Sequence, residues 1–111
     1  MGAEPAALRE LRLALALADR PALEAVLDGS VGLVADRGRA ATPVRGRVPV
    51  ARVLLGELDG AELHAHSVNG QSGLVARRGG RVVAVVLAEV EHDSVVRVWL
   101  VTASAKLARW W

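Results

Sequence analysis

The chain has no cysteine, and that absence removes several kinds of chemistry at once. There is no disulfide framework, no thiolate nucleophile and no cysteine-based zinc or iron–sulfur site. A reducing compartment fits, and the cytoplasm is the expected location. Long hydrophobic runs are also missing: the longest, Val82 to Ala88, has seven residues, where a membrane-spanning helix needs about twenty. No contact with a membrane is expected. An excess of one charge is missing too, since fourteen Lys and Arg against twelve Asp and Glu leave +2. That is far from the dense basic field of duplex-binding proteins, although thirteen of the fourteen cations are Arg, so no direct nucleic-acid partner is expected. No phosphate-binding loop, dinucleotide fingerprint, Ser/His/Asp series or zinc-finger spacing appears, and no cofactor is implied.

What is present is enough for one domain over residues 1–111. A chain of 111 residues buries roughly two thirds of its unfolded surface and needs no staple. Pro5 suits a first helical turn, and Leu8, Leu11 and Leu15 with Ala7, Ala14 and Ala18 form one apolar stripe at helical spacing. Leu13 and Leu17 fall on the other side, so this helix is expected to touch a neighbour on both flanks. The apolar run Leu13 to Ala18 is too short, and its basic region too interrupted by Glu4 and Glu10, for a cleaved leader. Asp19 caps a short second helix through Leu23, Val26 and Leu27, stopped by Asp28-Gly29. A strand then runs from Val31 to Ala35 and ends at Asp36. Residues 37–47 read as a loop punctuated by Gly38, Pro43 and Gly46, and five arginines at 37, 39, 45, 47 and 52 mark it and the helix that follows. Such arginines can fork onto carboxylate or phosphate. Pro49 opens a third helix, through Val50, Val53, Leu54 and Leu58, which Asp59-Gly60 closes.

The block from Leu63 to Leu107 contains four strand-like runs joined by three short turns, and it can be read in register. Asn69-Gly70 as a two-residue turn sets Val68 opposite Gln71, Ala65 opposite Leu74, His64 opposite Val75 and Glu62 opposite Arg77. Gly79-Gly80 and His92-Asp93 as further two-residue turns set Ala76 opposite Val83, Leu74 opposite Val85, and Leu87 opposite Val98. Alternation then sorts the block into two faces. One carries Leu63, Ala65, Leu74, Ala76, Val83, Val85, Leu87, Val96, Val98 and Leu100, and is expected to lie under the helices. The other carries Glu62, His64, His66, Val75, Arg77, Val82, Val86, Val90, Val95, Arg97, Trp99 and Val101. Its mixture of apolar, charged and aromatic groups suits a subunit interface, with Trp and Arg as anchors.

Three segments and the order of elements resemble a known family. Val68-Asn69-Gly70-Gln71-Ser72-Gly73-Leu74, then Arg78-Gly79-Gly80-Arg81-Val82-Val83, then Thr102-Ala103-Ser104-Ala105-Lys106-Leu107 resemble the SnoaL-like branch of the nuclear-transport-factor-2-like superfamily. The likeness is strongest to the C-terminal SnoaL-like domain of extracytoplasmic-function sigma factors, where the corresponding runs read Val-Asn-Gly-Gln-Pro-Gly-Leu and, at the end, Asn-Pro-Asp-Lys-Leu. It spans nearly the whole chain, but only Lys106 and Leu107 remain of the terminal motif, and the family's glycine-rich segment after the first strand is reduced to Asp36-Arg37-Gly38. The resemblance implies an α+β fold, three helices from the N-terminal half packed on a curved, cone-like and mainly antiparallel sheet, in a stand-alone relative that reaches transcription only through protein contact.

Asp36 sits where ketosteroid-isomerase-like members of that superfamily place a general base, and an apolar surrounding would raise its pKa. That chemistry also needs an oxyanion donor, normally tyrosine, and the chain has none. An Asp before Arg-Gly also suits a turn. His64 and His66 could place two imidazoles on a metal, with Glu62 or His92 as third ligand, but their face makes them interface residues and no metal site is assigned. The expectation is therefore a non-catalytic module with an aliphatic cavity lined by Leu63, Leu74, Val83, Val85, Leu87, Val98 and Leu100. It binds an apolar small ligand or a protein partner, and forms a homodimer through Glu62, His64, His66, Arg77, Arg97 and Trp99. An isomerase or cyclase acting through Asp36 is the alternative, and a regulator of transcription acting by protein contact is the third.

Overall fold

The computed structural model describes residues 4–38, 41–68, 70–102 and 107, with the backbone alone at 42 and 68. Three helices, α1 (Ala6–Ala16), α2 (Arg20–Val26) and α3 (Arg47–Glu57), accompany six strands. The strands are β1 (Leu27–Asp36), β2 (Ala41–Arg45), β3 (Glu62–Val68), β4 (Gln71–Arg78), β5 (Arg81–Glu91) and β6 (Ser94–Val101). They form one open sheet in the order β2-β1-β6-β5-β4-β3. Only β1 and β6 run parallel within it; the other neighbours are antiparallel. The helices pack on this sheet, so the α+β expectation holds.

Local sequence explains the helices. In α1, Ala7, Leu8, Leu11, Ala14 and Leu15 recur at helical spacing and are buried. Leu13 and Leu17 stay 47% and 75% exposed, so no part of the described chain covers that second flank. Ala18 does not extend the buried stripe. It is exposed and takes φ +51°, while its N–H donates to Leu15 O and that of Asp19 to Ala14 O at 2.8 Å. These two bonds make a Schellman stop, a position glycine normally fills. Asp19 caps α2, its Oδ1 accepting from Ala22 N at 3.1 Å. Leu27 was expected in that helix but turns extended (ψ 134°) and opens β1, because its partner there is Val95 of β6.

The stretch read as a loop contains β2, which pairs with β1 from Gly32↔Arg45 to Asp36↔Ala41. Punctuation by Pro43 concealed it. Proline is tolerated on an edge strand, and β2 is one. Gly46 then turns the chain into α3 with φ +95°, its N–H held by Val31 O at 2.9 Å, a conformation that favours glycine.

The β3–β4 hairpin has the register read from Asn69-Gly70, from Glu62↔Arg77 to Val68↔Gln71. The next two pairs depart from the simple reading. Arg77 meets Val82 but Ala76 meets Ala84, and Val90 meets Val95 but Glu89 meets Arg97, so Val83 and Val96 are each one residue too many for their partner strand. Such bulges reverse the faces beyond them. Val86 and Val95, expected outside, lie in the main core with Ala84 and Ala88, and Val90 packs against it. Val85 and Leu87, expected in the inner wall, belong to an outer cluster with Val75, Val82 and Val101. Val96, also expected inside, lines an outer groove beside Arg97.

The main core joins both halves of the chain: Leu8, Leu11, Leu23, Val50 and Leu54 from the helices, with Val31, Leu33, Leu74, Val86, Val98 and Leu100 from the sheet, all at most 1% exposed. The left-handed Ala18 gives the first test. Ala18→Gly is expected to stabilise the fold by about 1 kcal/mol, because glycine lacks the Cβ that opposes positive φ; urea unfolding would show it as a higher midpoint at unchanged slope.

Candidate functional site

The sheet register decides which chemical groups share a surface. Along β1, Leu33 and Ala35 point into the core while Val34 and Asp36 lie on the opposite, outer face. Cross-strand partners extend that outer face in rows. Arg45, Gly32, Arg97 and Glu89 stand side by side, then Pro43, Val34, Trp99 and Leu87, then Asp36, Val101, Val85, Val75 and His64. Glu62 and Arg77 lie opposite one another on the same side.

The six residues expected at an interface, Glu62, His64, His66, Arg77, Arg97 and Trp99, thus share the outer face, as the two bulges leave their parity unchanged. Trp99 is 43% exposed there. The neighbours Gly32, Val34, Pro43 and Arg45 were missed because β2 had been read as a loop; the Val34/Pro43 and Gly32/Arg45 pairs carry no local sequence signal. The outer face is not uniformly open. Leu107, 5% exposed, packs with Val75, Val82 and Val85, and so covers the β4–β5 half from the C-terminal segment. The β2–β1–β6 half keeps two grooves, one of about 130 Å³ along Gly32, Val34, Pro43 and Arg45, the other of about 410 Å³ bounded by Asp28, Arg45, Glu91, His92 and Arg97. Trp110 and Trp111 lie outside the described residues.

Charge is distributed in pairs over this surface. Arg97 Nη1 lies 3.4 Å from Glu89 Oε1, both side chains largely exposed, a geometry of little energetic weight. Asp28 is held below the ordinary carboxylate value by the Ser30 hydroxyl at 2.7 Å and the Ser30 backbone N–H at 2.9 Å, with a smaller contribution from the Arg47 charge. The arginines of the former loop are dispersed. Arg37 pairs with Glu57, Arg47 Nε donates to Leu27 O at 2.9 Å, Arg45 lines the outer grooves and Arg52 is exposed on α3. Arg39 lies outside the described residues. No group of three or more His, Cys, Asp or Glu among the described residues could hold a metal.

Asp36 does not reach the inner wall. Its carboxylate Oδ1 accepts from Gly38 N at 3.0 Å and its carbonyl accepts from Thr102 N at 2.9 Å. The side chain acts as a turn cap on the outer side of β1. Of the residues expected to line an aliphatic cavity, Leu74, Val98 and Leu100 are completely buried in the packed core, and Leu63 and Val83 lean against it. Val85 and Leu87 belong to the other face, for the reason given above. A small crevice of about 150 Å³ does open between α1 and the β3–β4 hairpin, bounded by Glu4, Leu8, Ala65, His66, Ser67, Ser72 and Gly73. Glu4 is tied there to Arg12 by two bonds of 2.8 and 3.0 Å.

This combination of helices, strand order and one parallel pair has counterparts among solved structures. Extracytoplasmic function sigma factor SigJ of Mycobacterium tuberculosis aligns with a TM-score of 0.70 at 22% identity, over 97% of this chain and 45% of that one. A ketosteroid isomerase-like protein from Kribbella flavida aligns with a TM-score of 0.65 at 20% identity, over 87% and 75%. An NTF2-like protein from Burkholderia xenovorans aligns with a TM-score of 0.62 at 17% identity, over 87% and 80%. The fold is NTF2-like. The resemblance in sequence to SnoaL-like proteins therefore agrees with the fold, and this chain spans less than half the length of the sigma factor. No sequence-family model and no curated protein matches it.

The Glu4–Arg12 pair beside the crevice makes a pH prediction. Hydrogen bonding to Arg12 lowers the Glu4 pKa below its ordinary value of 4.5, outweighing the opposing effect of burial. The pair therefore adds stability above that value, and the contribution disappears as pH falls through the lowered pKa. Glu4→Gln is expected to cost up to about 1 kcal/mol near pH 7, and the gap between the two thermal unfolding curves should close in acid. A gap unchanged from pH 7 into strong acid would contradict the assignment.

Proposed function

We propose that this chain is a non-catalytic protein-contact module whose contact surface is the open half of the outer sheet face, centred on Trp99. One observation carries the reading: a tryptophan 43% exposed on a sheet face, with Val34, Pro43 and Leu87 in its row and Arg45 and Arg97 in the next. Large aromatic and arginine side chains are the groups that most often anchor protein contacts. A sigma factor among the structures of the same fold supports regulation of transcription through protein contact as the setting.

The alternatives have less support. Isomerase chemistry needs a base and an oxyanion donor around one apolar site, whereas Asp36 caps a turn on the outer side of β1 and tyrosine is absent. Binding of an apolar ligand under the helices needs room where Leu74, Val98 and Leu100 are fully enclosed.

A photoreactive amino acid at position 99, in cells that produce the protein, is expected to cross-link to a discrete protein species; the same group at exposed Arg52 should not. No adduct at position 99, or equal adducts at both positions, would sink the reading. A ketosteroid incubated with the purified chain should be recovered unchanged, while isomerisation lost in Asp36→Asn would restore the enzyme.

A further inference from the structure

The two edges of the sheet differ in how they are protected. Strand β2 is five residues long and carries Pro43, a common guard against pairing with another chain. Strand β3, at the other edge, has seven residues, Glu62 to Val68, with no proline, no lysine and no register shift against β4. Residues 64–67 are all exposed, including Ala65, whose side chain has the same parity as the core residue Leu74 opposite it. α1 approaches this edge, with Leu63 packed against the core and a crevice between Leu8 and Ala65, but leaves positions 64–67 uncovered.

Among the described residues β3 pairs with β4 alone, and register identifies the backbone groups that this pairing leaves unpaired. In a two-residue hairpin the positions flanking the turn form a hydrogen-bonded pair, and such pairs alternate along the ladder. Val68, His66, His64 and Glu62 thus bond inward to β4, while Leu63, Ala65 and Ser67 turn their N–H and C=O outward. These three positions are symmetric about Ala65, the midpoint of the strand. A second β3, antiparallel about a two-fold axis through Ala65, would pair Leu63 with Ser67 of the second copy, Ala65 with its own equivalent and Ser67 with Leu63. All six outward N–H groups would be satisfied. The residue on the axis is small, and Glu62, the strand's one formal charge, would fall opposite position 68, so no like formal charges would oppose each other.

We propose that two copies of this chain join edge to edge through β3 in this register, making one sheet continuous across both. The second copy fits better at this edge than across the outer face, because Leu107 already covers the β4–β5 half of that face. The edge pairing leaves the Trp99 surface free, so the two contacts are independent.

Sedimentation equilibrium from about 1 µM to 1 mM spans the range where a small interface dissociates. The wild-type chain is expected to form dimers within it. Ala65→Pro removes an N–H that points away from β4, so it should leave the fold intact and raise the dimer dissociation constant at least about tenfold, while Trp99→Ala should leave it within about twofold. The doubly substituted His64→Lys, His66→Lys chain sets like charges opposite one another and should also dissociate. His64→Glu with His66→Lys should restore pairing, and these charge variants carry the test if the proline variant fails to fold. A wild-type monomer at 1 mM would overturn the proposal. So would a dimer indifferent to Ala65→Pro and lost in Trp99→Ala, or one that follows an added extended peptide rather than its own concentration. A wild-type monomer leaves the cross-linking expected at position 99 unchanged, whereas a dimer lost in Trp99→Ala would make the adduct at position 99 a link between two copies, so the failures of the two readings are distinguishable.

Discussion

The parallel pairing of β1 with β6 is the contact on which the architecture depends. It joins the first strand to the last, from Gly32↔Arg97 to Asp36↔Val101, across a span of chain whose ordering carries an entropic cost that grows slowly with length. Without it, β1 and β2 would be an isolated hairpin under α2 and α3, and two-stranded hairpins are marginal in water. With it, Leu33 and Ala35 lie beside Val98 and Leu100 in one enclosed layer. The same pairing builds the outer face, since Arg97 and Trp99 acquire Gly32 and Val34 as neighbours and, one strand further, Arg45 and Pro43. A surface whose residues come from both ends of the sequence exists only while this pair is formed.

Two bulges then decide what the rest of the sheet presents. Because side chains alternate with a period of two, one extra residue exchanges the faces of everything beyond it. Val83 sends Val85 and Leu87 outward and brings Ala84, Val86 and Ala88 inward; Val96 restores the parity for Arg97 and Trp99. Strand β5 consequently shows small residues as well as Val86 to the helices and larger aliphatics to the outside. The outer aliphatics form the patch on which Leu107 sits, so the burial of Leu107 follows from a register shift in the middle of the sheet.

How much of this was legible in the sequence follows from how local each determinant is. The Asn69-Gly70 turn carries its own geometry, and the whole β3–β4 register could be counted from it. The helices were legible from apolar spacing and from Asp19 as a cap. Bulges have no such signature: Val82-Val83-Ala84 and Val95-Val96 are runs in which any residue can be the extra one, and the choice belongs to the partner strand. Strand β2 was hidden for a similar reason, since Ala41 to Arg45 has no alternating pattern and is extended only because β1 offers it a ladder. The candidate site divided along the same line. Glu62, His64, His66, Arg77, Arg97 and Trp99 share the outer face that alternation gives them, whereas Val85 and Leu87 fall on the outer rather than the inner face by a shift of one.

A wall of aliphatic residues marks a dry surface, but whether it encloses a cavity depends on the layer that faces it. Here a crevice of about 150 Å³ opens beside Leu8, between α1 and the β3–β4 hairpin, whereas Leu11, Leu23 and Leu54 are as fully enclosed as Leu74, Val98 and Leu100, so at these residues the helical layer meets the sheet directly. Opening such a space by deleting one leucine costs about 2–5 kcal/mol, a large share of the roughly 5–15 kcal/mol by which a domain is stable. On the surface, the Trp99 patch with its neighbouring arginines and the edge strand β3 occupy separate places, and separate places can bind separate partners without competition. The Trp99-centred face and the β3 edge are thus the two places at which the proposed contacts can be tested independently.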